Sequence, residues 1–160
     1  MFKPKYHLHR VTDITPEFMK INNYKAIILD VDNTLSTHHG TKYIDNLTDW
    51  LTTMQNSDIK LIILSNSVKK RIEPFAKGLN LPYIHTGLKP LPFGFIRAKR
   101  YLNLKYKNII NVGDQIFTDI VGGNLCGLNT VFTDLILPET SLRFKLKRKA
   151  ERRLISLLKI

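Results

Sequence analysis

Ala26-Ile27-Ile28-Leu29-Asp30-Val31-Asp32-Asn33-Thr34-Leu35 is the stretch on which the reading of this chain turns. Its four leading apolar residues predict a strand buried on both faces, and the acidic pair marks where strand gives way to loop. Two carboxylates two residues apart at a strand end can do chemistry. Asp30 is ionised at neutral pH, with an ordinary pKa of about 3.9, so it can attack phosphorus without a base to activate it. Asp32 can then protonate the leaving oxygen and later deprotonate water. Two turn-forming acids would leave the same trace, so residues C-terminal to the pair decide between the two.

Three later segments supply partners, each directly after a predicted strand. Ser65-Asn66 closes the apolar run 60–64 and offers a hydroxyl, an amide and backbone N–H groups to phosphoryl oxygens, although the pair is also an ordinary loop and helix cap. Lys89, in Gly87-Leu88-Lys89-Pro90, comes after the short run 82–85 and can bring a positive charge to a transferring phosphoryl group. Gly113-Asp114-Gln115-Ile116-Phe117-Thr118-Asp119 comes after the run 108–112. Asp114 sits where it can complete an all-oxygen Mg²⁺ site, and Asp119 either reinforces it or caps a helix. Ser65-Asn66 and Lys89 are weak signals by themselves, Gly113-Asp114 with Asp119 is more specific, and their joint occurrence in this order is what decides the reading.

The pattern between the motifs predicts an α/β domain. Strands over 26–29, 60–64, 82–85, 108–112 and 128–133 alternate with helices over 43–55, 69–77, 95–102 and 118–126. Such alternation predicts a Rossmann-like three-layer sandwich with a central parallel sheet of about five strands. Ligands bind such sheets beyond the carboxyl ends of the strands, where all four motifs fall. About 30 residues separate Asp32 from Ser65 and about 20 separate Ser65 from Lys89, most of them taken up by one helix each. The expected cap is therefore minimal or missing, and the site open.

Charge divides the chain further. Its formal total is +12. Residues 1–25 carry five Lys or Arg against two acids, and residues 26–140 twelve against ten. Residues 141–160 carry eight against one. We therefore divide the chain into a catalytic domain with an N-terminal extension, 1–140, and a basic segment, 141–160, whose leucines recur every fourth residue as on an amphipathic helix. A basic apolar-striped segment suits an anionic membrane surface, with nucleic acid the weaker partner. Cys126 is the single cysteine, so no internal disulfide forms. The start shows no secretory pattern and no run is long enough to span a bilayer. A cytoplasmic protein, peripherally associated with the inner membrane face, is expected.

The four motifs together resemble those of the haloacid dehalogenase (HAD) superfamily of phosphatases, over roughly residues 26–133. Within it, Leu29-Asp30-Val31-Asp32-Asn33-Thr34-Leu35, Val112-Gly113-Asp114-Gln115-Ile116-Phe117-Thr118-Asp119, Gly122-Gly123-Asn124 and the opening Lys3-Pro4 resemble the YqeG-type subclass IIIA family. The resemblance implies Asp30 as nucleophile and Mg²⁺ ligand, Asp32 as acid/base binding metal through its carbonyl, and Asp114 as metal ligand. It also implies Ser65 and Lys89 as phosphoryl ligands, with Asp119 in a variable role; Asn66 shares the phosphate-binding assignment by position. Relatives include phosphatidylglycerophosphate phosphatases, so a Mg²⁺-dependent phosphatase acting on that lipid is expected. The alternatives are a soluble nucleotide or sugar phosphate as substrate, or an RNA- or ribosome-binding module with a vestigial site. His38 and His39, in the loop after the first motif, are read as an exposed pair. His7 and His9 lack partners at metal-ligand spacing, and Trp50 and Cys126 are read as packing residues.

Overall fold

The apolar run at 26–29 forms strand β2 (Ala26–Leu29), and all four of its residues are buried. Alternate residues point to opposite faces of a strand. Ile27 and Leu29 accordingly join one core cluster, and Ala26 and Ile28 another. The computed structural model describes residues 1–37 and 42–136, together with Lys149, Glu151, Arg153 and Ser156.

Five further strands join β2: β1 (Tyr6–Leu8), β3 (Lys60–Leu64), β4 (Tyr83–Ile84), β5 (Ile109–Gly113) and β6 (Asn129–Thr133). All pair in parallel in the order β1-β6-β5-β2-β3-β4. The chain runs from β2 outward to β3 and β4, then returns to the other flank of β2 for β5 and β6. The order therefore reverses between β2 and β5, and this switch point is where an open parallel sheet leaves a crevice for ligands.

Helices cover both faces. Met19 of α1 (Pro16–Ile21), Trp50, Leu51 and Met54 of α2 (Leu47–Asn56), and Ile72 and Phe75 of α3 (Lys69–Gly78) fill one face with Ile27, Leu29, Ile63 and Val112. Phe95, Ala98 and Leu102 of α4 (Pro92–Leu102) fill the other with Ile28, Ile62 and Leu64. Helix α5 (Val121–Leu125) lies against α4, where Gly122 meets the Phe95 ring so closely that a Cβ would clash. Trp50 is a packing residue: it is buried and its Nε1–H donates to the Ile14 carbonyl at 2.7 Å. Cys126 is half-buried, and burial pushes its thiol pKa up.

The sheet has six strands rather than about five. The additional one, β1, is an edge strand of three residues that pairs Tyr6 with Val131 and Leu8 with Thr133. The region read as an N-terminal extension thus belongs to the sheet. Helix α1 also lies there, with Thr15 Oγ accepting from Phe18 N at 3.1 Å and Pro16 at its first turn.

The helix expected over 43–55 begins later, at Leu47. Tyr43 instead bridges Ser36, and Ile44 N donates to the Leu35 carbonyl at 3.0 Å. His38 and His39 lie outside the described residues. So does most of 141–160; Lys149, Glu151, Arg153 and Ser156 are helical there. Between the motifs the described chain contains one helix each, α2 and then α3, and no cap domain. Among the described residues, no helix is long and apolar enough to cross a membrane.

Candidate active site

Strand register sets the centre of the site. Leu29 of β2 is opposite Val112 of β5, so Asp30 and Asp114 leave neighbouring strands on either side of the switch point. Asp30 N still donates to the Val112 carbonyl at 3.0 Å. Beyond Asp30 the chain turns tightly over Val31, whose carbonyl accepts from Leu35 N at 2.9 Å and Ser36 N at 3.0 Å. Asn33 takes the left-handed conformation this turn needs, at φ 57°.

Asp30, Asp114 and Asp119 come together. All three are buried, and each offers a carboxylate oxygen within 4.8 Å of the others. Asp119 reaches the cluster because Ile116–Ile120 forms a π-helical turn leading into α5, where an ordinary helix was expected. Its carbonyl accepts from Asn111 Nδ2 at 3.0 Å, and its Oδ2 accepts from Gln115 N at 3.2 Å. Gly113 leaves the space for it: a Cβ there would collide with the Asp119 carboxylate.

Lys89 enters from the loop after β4. Its buried Nζ donates to Asp30 Oδ1 at 2.6 Å and to Asp119 Oδ1 at 2.5 Å. Burial pushes the Asp30 carboxyl up to about 7 against the pull of Lys89, and the charges of Asp119 and Asp32 push the same way. Burial works to lower Lys89, but the carboxylates of Asp119 and Asp30 outweigh it and hold the ammonium above its ordinary range. Within this cluster one lysine faces three buried carboxylates, an excess of negative charge that a divalent cation balances. The donors are all oxygen, which suits a hard cation such as Mg²⁺.

Ser65 lies buried at the end of β3, where its Oγ accepts from Ser67 N at 3.1 Å. Asn66, read from sequence with Ser65 as a phosphate ligand, also holds the loop that carries Lys89. Its Oδ1 accepts from Lys89 N at 2.7 Å and its Nδ2 donates to the Lys89 carbonyl at 2.9 Å. Both ends of the amide are committed to the backbone that carries the lysine. Gly87 N to the Ser65 carbonyl and Thr86 N to the Ser67 carbonyl, each 2.8 Å, complete the tie between the two loops. Thr86 and Leu88 on either side of Gly87 have φ of 48° and 57°, a conformation costly for a side chain and held here by these bonds.

Asp32 turns toward α3. Arg71 forks its carboxylate, Nη1 donating to Oδ2 at 2.9 Å and Nη2 to Oδ1, while Nη1 also reaches Ser67 Oγ at 2.5 Å. Arg71 is not among the residues singled out from sequence, because in Lys69-Lys70-Arg71 it reads as part of a solvated helix face. Two other contacts are likewise invisible in the sequence. His7 and His9 both hydrogen-bond Asp134, at 2.7 and 3.0 Å, away from the catalytic cluster. Glu151 is buried and its Oε1 accepts from Phe117 N at 3.3 Å, which ties Glu151 to the turn carrying Asp119.

A parallel sheet without a cap domain among the described residues, a buried aspartate–lysine cluster at its switch point, and similarity to a phosphatase family and to a probable phosphatase over most of the chain define a phosphatase of the HAD superfamily. Over residues 1–136 it matches the family described as mitochondrial PGP phosphatase, and the chain belongs to that family. It is 34% identical over 158 residues to the probable phosphatase YqeG of Bacillus subtilis (strain 168), covering 99% of this chain and 92% of that protein. Two solved structures share the fold. A predicted phosphoglycolate phosphatase of Haemophilus somnus 129pt superposes with a TM-score of 0.60 at 14% identity, over 72% of this chain and 89% of that one. The cobalt-bound deoxy-D-mannose-octulosonate 8-phosphate phosphatase of Haemophilus influenzae gives 0.56 at 16% identity, over 71% and 70%.

Proposed function

We propose that this phosphatase is Mg²⁺-dependent and removes the terminal phosphate of phosphatidylglycerophosphate through an aspartyl-phosphate on Asp30. The observation carrying the chemistry is the buried cluster in which Lys89 joins Asp30 to Asp119 beside Asp114. Asp30 attacks phosphorus as the bond to the glycerol oxygen breaks, and Asp32 gives that oxygen its proton. Water then attacks the aspartyl-phosphate with Asp32 taking its proton, which releases phosphate, frees the Asp30 carboxylate and returns Asp32 to its protonated form. Lys89 lies against the attacking carboxylate and balances charge on the transferring group. Asp119 holds Lys89 in place, Ser65 closes the phosphate pocket, and Asn66 positions the lysine loop. Asp30, Asp114 and the Asp32 carbonyl would hold Mg²⁺, which when bound neutralises charge between nucleophile and phosphate and orients the attack.

The lipid substrate draws support from the family's description and from the surface around the site. Leu88, Leu91 and Phe93 stand exposed around the Lys89 loop and the start of α4, with Val68 exposed on the loop tied to it and Lys69 and Lys70 exposed at the start of α3. Apolar side chains beside lysines suit the surface of an anionic bilayer. A site with no cap domain among the described residues also suits a substrate whose acyl chains stay in the membrane. The test is phosphate release from phosphatidylglycerophosphate in mixed micelles, with Mg²⁺ or chelator, beside a panel of nucleotide and sugar phosphates. Release that needs Mg²⁺ and is lost in Asp30→Asn supports the reading. Faster turnover of a soluble phosphate overturns the substrate, and equal release by Asp30→Asn overturns the mechanism.

A further inference from the structure

We infer that Arg71 forms a second anion site on the leaving-group side of the active centre, which takes a phosphodiester carried by the alcohol that departs. The inference rests on the proposed function in one respect, that Asp32 is the group that protonates the leaving oxygen. A proton donor must come within hydrogen-bond distance of the atom it protonates. Arg71 hydrogen-bonds Asp32, so its guanidinium lies about two hydrogen-bond lengths, roughly 6 Å, from the leaving oxygen. It is therefore within reach of the part of the substrate beyond the scissile bond, while Lys89, against Asp30 and Asp119, serves the reacting phosphate.

The chemistry of the fork makes the assignment specific. A guanidinium that grips the two oxygens of a carboxylate grips two oxygens of a phosphodiester by the same geometry. In phosphatidylglycerophosphate the scissile phosphate and the phosphodiester sit at opposite ends of one glycerol, three carbons apart. With Asp32 against the leaving oxygen, the second anion comes within the swing of a long, half-exposed side chain.

The surroundings of Arg71 favour an incoming anion. The first turn of α3 contains no acidic residue, Lys69 and Lys70 are exposed beside Arg71, and Glu73 is paired with Lys77 at 3.1 Å. A leaving group without a second anion meets a guanidinium still engaged with Asp32. One with a phosphodiester takes the guanidinium over, and Ser67 Oγ is placed to hold it between the two partners.

The test compares two water-soluble monoesters that differ in the leaving group: deacylated phosphatidylglycerophosphate, which keeps the phosphodiester, and glycerol 3-phosphate, which lacks it. Short-chain phosphatidylglycerophosphate forms a third arm that separates a lipid requirement from the anion requirement. The native protein should favour the diester-bearing substrates in kcat/KM by about ten- to a hundredfold, the worth of a charged hydrogen bond to phosphate. Arg71→Gln should collapse that ratio mainly through KM, and Arg71→Lys should keep part of it. The ratio is read within each variant, so a general loss from a less well-held Asp32 cancels, and thermal melting of both variants confirms folding. A ratio unchanged in Arg71→Gln, with both substrates slowed alike, would assign Arg71 to positioning Asp32 and overturn the site. Equal use of both monoesters by the native protein overturns the site but leaves the phosphatase intact. A native protein that hydrolyses none of the three overturns both readings, and one that hydrolyses the short-chain lipid alone overturns the anion site and keeps the phosphatase.

Discussion

Asn66 grips Lys89 by its backbone on both sides of the residue, accepting from its N–H at 2.7 Å and donating to its carbonyl at 2.9 Å. The lysine side chain at the centre of the cluster is thus aimed by an amide on a neighbouring strand end. Replacing Asn66 with Ala leaves a backbone N–H and a carbonyl to find new partners, at a cost of about 1–3 kcal/mol. Asn66→Ala should lower the melting temperature and reduce kcat about tenfold or more, because Lys89 no longer meets Asp30 squarely. Asn66→Asp keeps the acceptor and should lie between. Steady-state phosphate release and calorimetry on the three proteins check this.

Asp30 makes stability depend on pH in a defined direction. Burial raises its carboxyl from an ordinary 3.8 to about 7. Between those values the native protein holds a proton that the unfolded chain has lost, so stability falls as pH rises through this window. The loss in metal-free protein should be on the order of 4 kcal/mol. Asp30→Asn does not titrate, so its stability advantage over the native protein should grow with pH across the same range. Melting curves in chelator at a series of pH values measure the difference, and an advantage independent of pH would contradict it.

Removing divalent cations should abolish phosphate release, and restoring Mg²⁺ should return it while raising the melting temperature by mass action. Asp114→Asn takes one negative charge from the three-carboxylate cluster. Its Mg²⁺ affinity should fall by about tenfold or more, read directly from the concentration dependence of melting without any turnover. Equal affinity in the two proteins would remove Asp114 from the cation site.

Gly113→Ala should disable the site with little damage to the sheet. The new methyl group meets the Asp119 carboxylate, which must move off Lys89. The expected result is a folded protein with activity reduced about a hundredfold and a cost near 1–3 kcal/mol from overpacking. An activity close to native would mean that Asp119 is dispensable for holding Lys89.

Glu151→Ala should weaken the turn that carries Asp119, because Phe117 N then loses the acceptor 3.3 Å away. A loss of about 1–2 kcal/mol, with faster amide exchange at Phe117, is expected. The C-terminal segment would then be shown to support the phosphatase domain as well as carry charge.

Much of the site was legible because it is written in residues that must come after strands. Asp30 and Ser65 each end a continuous apolar run and Asp114 follows a largely apolar one, and parallel pairing brings those ends to one edge. Asp119 was legible as a spacing but not as a contact, since the π-helical turn that swings it toward Lys89 leaves no periodic signature. Arg71 was missed for a related reason: nothing local distinguishes it from Lys69 and Lys70, and only the α3 packing points it at Asp32. Strand β1 escaped because three residues at a sheet edge carry too short an alternation to register. In α1, Thr15-Pro16 is a readable start signal that was passed over.

The pairing of Leu29 with Val112 has a consequence for how the enzyme fails. Its principal acids hang directly from the innermost hydrogen-bonded ladder, so no flexible arm can lose its aim while the interior stays intact. Heat inactivation and global melting should accordingly trace one curve, and a rescue of the one is a rescue of the other.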